Sequence, residues 1–337
     1  MYDVITLGSA TQDVFLRGKH LKEKEEKKVV TEKGIVLKLG SKIPVDEVRF
    51  SSGGGGTNSA FTFQKQGFKV AYIGKVGLDG AGKNIKEEIK DNKISTEFIC
   101  SDKKLRTNYS VIISTENDRT ILVYKGASGN LEKKEIPWKR VKTKWFYIAP
   151  LYGKTISIWE EVLKYAKKNN IKVAVNPSKD QLSLPKKKLE KLLGLSDVLI
   201  LNQEEASLAT GILANKEDQI LKAMNSLVGG IVIITKGMLG VVVSDGKFSY
   251  KAKTILGRSK KIIDRTGAGD SFGSGFVTGM MKAKSELSKN DILKYALQFG
   301  SANASACIQS IGAKNGLLKK NESIFKWGTL KIKEEKV

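Results

Sequence analysis

The chain reads as an α/β fold built on a largely parallel sheet, and three observations lead there. Residues 145–148, 173–175, 198–201 and 231–234 are short, continuously apolar runs without polar alternation, as strands covered on both faces require. They alternate with longer stretches of helical character, the signature of βαβ units. Polar residues follow three of the runs directly: Asn176, then Asn202-Gln203-Glu204-Glu205, then Thr235-Lys236-Gly237. That pattern gathers them on one edge of the sheet, where such folds bind ligands. With 337 residues and 40% hydrophobic content, the chain is sized for one domain over residues 1–337, and no linker or solenoid repeat divides it.

Taken in order, residues 3–7 form a first strand, ending at Gly8 and followed by Asp13. Between 14 and 50 the pattern changes to short β-like pieces (14–16, 35–39 and 45–50) around a charged segment, 19–28, that reads as an exposed hairpin tip or loop. These pieces belong to a small separate sheet. Gly53-Gly54-Gly55-Gly56 then leads into a helix carrying Asn58, and residues 70–80 form a strand and turn before a Lys/Glu-rich helix. Residues 107–114 and 119–124 read as a hairpin around Thr115-Glu116-Asn117-Asp118. After the parallel strands, residues 262–272 run from an apolar end through a two-glycine turn into a helix over 271–282. A further helix spans 292–311, and the charged tail, 331–337, is expected to fray.

Composition narrows the function. The N-terminus lacks a basic leader and reads as a strand, not a signal peptide. No apolar run approaches the ~20 residues of a membrane span. Two cysteines make no disulfide framework and one histidine excludes His-based metal clusters, so a cytoplasmic location is expected. The net charge of +24 raises the alternative of a basic nucleotide- or nucleic-acid-binding protein without catalysis. The lysines, however, are spread along the chain and mixed with glutamates, as on solvated helical faces, and no basic block is interleaved with aromatics. Neither a nucleic-acid nor a membrane partner is expected. The excess charge would still attract a polyphosphate.

The chemistry concentrates at Asp264-Arg265-Thr266-Gly267-Ala268-Gly269-Asp270. A glycine-rich turn opening a helix presents unpaired N–H groups at the positive end of the helix dipole, an anion site. A carboxylate beside an anion cradle is unfavourable for simple binding, but it serves where a hydroxyl must lose its proton while attacking phosphorus. Asp270 alone also reads as a helix cap. Asp13 reads equally as a polyol ligand or a loop aspartate, and Asn58 as a hydroxyl ligand or an N-cap. Asn202-x-x-Glu205 by itself is a common helix start, and Lys236 by itself could be a solvated lysine.

Gly53-Gly54-x-x-x-Asn58 followed by Asp264-x-Thr266-Gly267-Ala268-Gly269-Asp270 resembles the two signatures of the ribokinase family, the PfkB-type carbohydrate kinases. The resemblance covers nearly the whole chain and implies a Rossmann-like α/β/α sandwich with a small β-sheet lid, formed by about 14–50 and 105–125. It implies ATP-dependent phosphorylation of a hydroxyl on a sugar or sugar derivative, with a nucleoside as the alternative acceptor. It assigns Asp270 as general base, with the N–H groups of Gly267, Ala268 and Gly269 facing the transferred phosphoryl group. Asp13, Gly53, Gly54 and Asn58 would hold the acceptor, and Thr235, Lys236, Gly237 and Asn303 would border the nucleotide. Asn202 and Glu205 would anchor Mg²⁺ through water, while Asp264 and Thr266 would border a monovalent cation such as K⁺. The segment Gly312-Ala313-Lys314-Asn315-Gly316 would lie beside the adenine and that cation. Dimers through the lid occur among such proteins, which makes 14–50 the expected contact in a homodimer. Two departures put ribose itself in doubt: Gly55 stands where ribokinases carry lysine, and residues 149–153 offer no sugar-binding carboxylate.

Overall fold

The computed structural model, which describes residues 1–21, 23–25, 33–115, 119–256 and 262–337, places the four apolar runs side by side. In chain order the strands are β1 (Tyr2–Leu7), β2 (Thr11–Arg17), β3 (Glu23–Glu25), β4 (Lys33–Ile35), β5 (Glu47–Gly53), β6 (Val70–Gly77), β7 (Ile99–Asp102) and β8 (Asn108–Ser114). They continue with β9 (Arg119–Tyr124), β10 (Thr143–Ile148), β11 (Lys172–Val175), β12 (Val198–Asn202), β13 (Ile231–Thr235), β14 (Val241–Ser244), β15 (Phe248–Ala252) and β16 (Ile332–Lys336). The α-helices are α1 (Gly55–Lys65), α2 (Gly80–Asp91), α3 (Ile156–Lys168), α4 (Lys179–Leu182), α5 (Lys186–Leu193), α6 (Gln203–Thr210), α7 (Glu217–Leu227), α8 (Ala268–Lys282) and α9 (Lys289–Cys307).

The large sheet runs β16-β15-β14-β13-β12-β11-β10-β1-β6-β7. Pairing is parallel from β7 to β13 and antiparallel from β13 to β16. Alternation along β1 sends Ile5 and Leu7 to one face and Val4 to the other. The first face packs against Trp159, Val162, Leu192 and Met224 of α3, α5 and α7. The second packs against Phe63, Ile85, Phe276 and Leu297 of α1, α2, α8 and α9. The result is the expected α/β/α sandwich, each buried side chain of this size stabilising it by roughly 1.5–3 kcal/mol. From β1 the chain proceeds outward to β6 and β7, then returns to build β10 to β13 on β1's other side. Outside the carboxyl ends of β1 and β10 this reversal opens a crevice, the place where open α/β sheets bind ligands.

A second sheet, β5-β2-β8-β9, supplies the expected small lid. Its β8–β9 hairpin pairs Ser114 with Arg119; residues 116–118 of the anticipated turn lie outside the described residues. Around the charged segment, β3 pairs with β4, while residue 22 and residues 26–32 are likewise outside. The β-like piece expected at 35–39 ends at Ile35: among the described residues, 36–39 pair with no strand, and Leu39 is exposed. The tail does not fray. Its Ile332–Lys336 stretch forms the edge strand β16, held by backbone pairing to β15 and by Lys251–Glu335 (3.3 Å) and Lys294–Glu334 (2.7 Å). Charges suit a sheet edge, which explains why a polar sequence can still be a strand there. Among the described residues, no helix is long and apolar enough to cross a membrane.

Candidate active site

Two helices begin at the crevice. α8 is entered through Gly267, whose φ of 75° and position leave no room for a side chain: a Cβ there would stand 2.3 Å from that of Ala313. Ala268, Gly269 and Asp270 form the first turn, whose N–H groups have no carbonyl a turn earlier in the helix. That of Ala268 donates to the Arg265 carbonyl at 3.3 Å, so the expected trio of donors is reduced on that side. Space around Gly269 is open, since nothing lies within 4 Å of where a Cβ would be. Asp270 is not the cap. Its Oδ2 accepts from Asn58 Nδ2 at 2.8 Å.

Asn58 is not a cap either, because α1 starts at Gly55 behind Gly54 and Asn58 lies within its first turns. Its Oδ1 is buried without a hydrogen-bond partner among the described residues. A side chain at Gly55 would meet Ala149, Pro150 and, at 3.2 Å, the Asp270 carboxylate. The end of β10 and the starts of α1 and α8 therefore converge on one point. Desolvation raises the Asp270 carboxyl above the ordinary aspartate range, and the Asn58 hydrogen bond partly opposes that shift.

Asp13 sits on β2 opposite Ser51 of β5 and Ser110 of β8, and is 7% exposed. A Cβ on Gly53 would lie 2.1 Å from its Oδ2, so the first glycine is fixed by contact with this carboxylate. Burial pushes the Asp13 carboxyl up to about 6; a hydrogen bond from Ser110 and the charge of Lys314 oppose this, and the charge of Asp264 adds to it. Lys314 is the residue the sequence did not disclose. It belongs to the segment expected beside the adenine and the cation, acts on Asp13 through its charge and is only 4% exposed. Its ammonium donates to Ser52 Oγ, stands 3.6 Å from Glu88 and sits 4.3 Å from the centre of the Phe61 ring. Burial drags it down to about 8, against the pull of Glu88 and Asp13. A lysine within a glycine-rich loop carries no sequence signal of burial.

On the other side of the α8 turn lies a mainly apolar cavity of about 280 Å³. Thr235, Gly237, Met238, Phe272, Ser301 and Ser305 contribute to its walls, as do Ala268 and Gly269. Two residues expected beside the nucleotide do not line this cavity. Lys236 turns to Glu217, its ammonium 2.6 Å from the carboxylate. Asn303 is fully buried: its amide donates to the Ser271 carbonyl (2.8 Å) and its oxygen accepts from Leu318 N (3.0 Å), which ties α8 and α9 to the following loop. Its neighbours Ser301, Ala304 and Ser305 face the cavity, so helical phase alone separates wall from interior. Asn202 and Glu205 form a reciprocal capping box at the start of α6, each bond 2.8 Å, at the carboxyl end of β12 beside Thr235. Burial raises the Glu205 carboxyl. Asp264 Oδ1 accepts from Thr266 N (2.9 Å) and Oγ1 (2.7 Å) and from the Arg119 guanidinium (3.1 Å), while Oδ2 accepts from Gly312 N (2.9 Å).

Residues 28–320 match the sequence model of the pfkB family carbohydrate kinases. Over 292 residues the chain is 29% identical to the ribokinase of Haemophilus influenzae, covering 85% of this chain and 90% of that protein. In three dimensions it resembles the Arabidopsis thaliana ribokinase complexed with ribose and ATP, with a TM-score of 0.76 and 23% identity, over 97% of this chain and 98% of the other. It also resembles the nucleoside kinase of Methanocaldococcus jannaschii, with a TM-score of 0.71 and 22% identity, over 95% and 96% of the two chains.

Proposed function

The chain belongs to the pfkB family of carbohydrate kinases, phosphotransferases with an alcohol acceptor, and from that premise we propose that it moves the γ-phosphoryl group of ATP to a hydroxyl of a sugar or sugar derivative. The observation that carries this reading is the Asn58–Asp270 pair at the mouth of α8, a carboxylate of raised basicity beside a helix N-terminus. Asp270 takes the proton of the acceptor hydroxyl. The hydroxyl oxygen then bonds to the γ-phosphorus, and the bond from that phosphorus to the β–γ bridging oxygen breaks, releasing ADP. N–H groups at the start of α8, with Gly267, Ala268 and Gly269 shaping the turn, stabilise charge on the transferred group.

The acceptor lies between Asn58 and Asp13, with Gly53 and Gly54 letting the backbone approach it. ATP occupies the apolar cavity beside Thr235 and Gly237, its phosphates toward Gly269. Lys236 and Asn303 support that wall from behind through the contacts described above. Among the described residues no group of three His, Cys, Asp or Glu side chains is placed to hold a metal ion directly; Glu205 and Asn202 would hold the Mg²⁺ of the bound nucleotide through water. When bound, it neutralises phosphate charge. Asp264 and Thr266 do not fit a monovalent cation at their side chains, since the carboxylate is fully engaged and the Arg119 guanidinium already supplies positive charge there.

A homodimer through the lid accords with the apolar residues exposed on the small sheet's outer face, Val48, Phe50, Leu122 and Tyr124. The two unpaired cysteines accord with a reducing, cytoplasmic setting. ADP formation that depends on an added sugar tests the reading. ATP consumption indifferent to every sugar and nucleoside offered would contradict it.

A further inference from the structure

We propose that the acceptor is a sugar monophosphate, its phosphate held by arginines on the lid's inner face; this rests on the kinase reading and adds the substrate class to it. A polar cavity of about 290 Å³ lies between the small sheet and the segment that carries Asp264. Arg17, Arg49, Arg119 and Arg265 all border it, together with Glu47 and Asp264. Four guanidinium groups against two carboxylates leave a formal charge of +2, which matches a phosphate dianion.

The sheet register explains the convergence. Arg17 of β2 lies opposite Glu47 of β5 and Ser114 of β8, Ser114 lies opposite Arg119 of β9, and Arg49 lies opposite Phe15. With side chains alternating at a period of two, all of these point to the face that also carries Asp13 and Ser51. Arg49 is hydrogen-bonded to Glu47, and Arg119 is paired with Asp264 at 3.1 Å. Arg17 and Arg265 are exposed and make no ion pair among the described residues.

Asp13 lies four residues from Arg17 on β2, about 13 Å along a strand. An arginine side chain is long enough to reach back along the strand toward Asp13, which would shorten that gap to the scale of one phosphorylated sugar. One molecule can then present a hydroxyl to Asp270 and a phosphate to the arginines. Guanidinium forks suit this task, because they bind phosphate oxygens in pairs and stay charged at every physiological pH. An unmodified sugar would leave a charged, polar cavity with nothing to bind. Neutral acceptors are selected against.

The test uses the full chain and matched pairs: D-ribose with ribose 5-phosphate and D-fructose with fructose 6-phosphate, alongside adenosine. Turnover with Mg²⁺-ATP and binding by calorimetry are measured for wild type, Arg17→Met, Arg49→Met and Arg17→Lys. One charge-assisted contact corresponds to ~10–100-fold. The phosphorylated member of at least one pair should therefore be preferred about 100-fold or more in kcat/KM, and each Met variant should cut that ratio about tenfold. Arg17→Lys should keep part of it, and added salt should raise KM for the phosphorylated member.

A preference for unphosphorylated sugar or adenosine overturns the proposal, as do Met variants that lower both members of a pair alike, or failure of every phosphorylated sugar to bind. Should phosphorylated sugars bind in an arginine-dependent way while no acceptor consumes ATP, the cavity assignment stands and the kinase reading falls.

Discussion

The side-chain amide of Asn58 donates to Oδ2 of Asp270 at 2.8 Å, joining the first turns of two helices across 212 residues of sequence. The bond fixes one oxygen of the carboxylate; in the mechanism proposed above the other receives the proton of the acceptor hydroxyl. It also favours the ionised form against desolvation, which is otherwise the dominant influence on this group.

Removing the donor should therefore push the Asp270 carboxyl higher still. A general base works ionised, so turnover falls as pH falls through its pKa, and that acid limb sits above the ordinary aspartate range. In Asn58→Ala the limb moves to higher pH and kcat/KM drops by ~10–100-fold, the equivalent of one hydrogen bond to a charged group. A pH–rate profile with the wild-type limb would show that the pair does not act on the base.

Asp13 carries a cost in stability. Its folded-state carboxyl is raised to about 6, so folding binds a proton between the unfolded and folded pKa values. Its contribution to stability is fully present below the unfolded pKa and is lost as pH rises to about 6. Asp13→Asn should stabilise the ligand-free protein at pH 7 by up to about 3 kcal/mol, lose that advantage near pH 4, and weaken acceptor binding. Thermal melts at the two pH values check the first part, and KM for the acceptor checks the second.

The two glycines of the α8 turn differ in what they can tolerate. Gly267→Ala meets both a positive φ and the Ala313 side chain, and should destabilise the fold by ~1–3 kcal/mol or more in denaturant melts. Gly269→Ala meets no neighbour and should leave the midpoint nearly unchanged. Its methyl group should instead crowd the anion cradle, raising KM for ATP or lowering kcat. Equal effects of the two on stability would contradict the geometry.

The parallel core was readable because strands buried on both faces must be continuously apolar, as Val198, Leu199, Ile200 and Leu201 are. The turn at 264–270 was readable because spacing, independent of tertiary contacts, marks a glycine-rich helix entrance. What stayed hidden depends on tertiary placement. β16 looked like a charged tail because an edge strand is stabilised by backbone pairing that leaves no apolar pattern. Asn303 and Lys236 have the polarity of ligand contacts, yet helix phase and Glu217 direct them away from the cavity. The convergence of Arg17, Arg49 and Arg119 needs the register of four strands drawn from distant parts of the chain, and Lys314 is buried by Phe61 and Glu88, which no local pattern announces.

The most direct measurement of the central claim is acceptor-dependent ADP formation by wild type and Asp270→Asn, with ATP affinity measured on both. Loss of ~10²–10⁴-fold in kcat, with ATP still bound and the fold intact, is the result expected of a general base. Asp270→Asn turning over within a few-fold of wild type would contradict the assignment of Asp270 and the mechanism built on it.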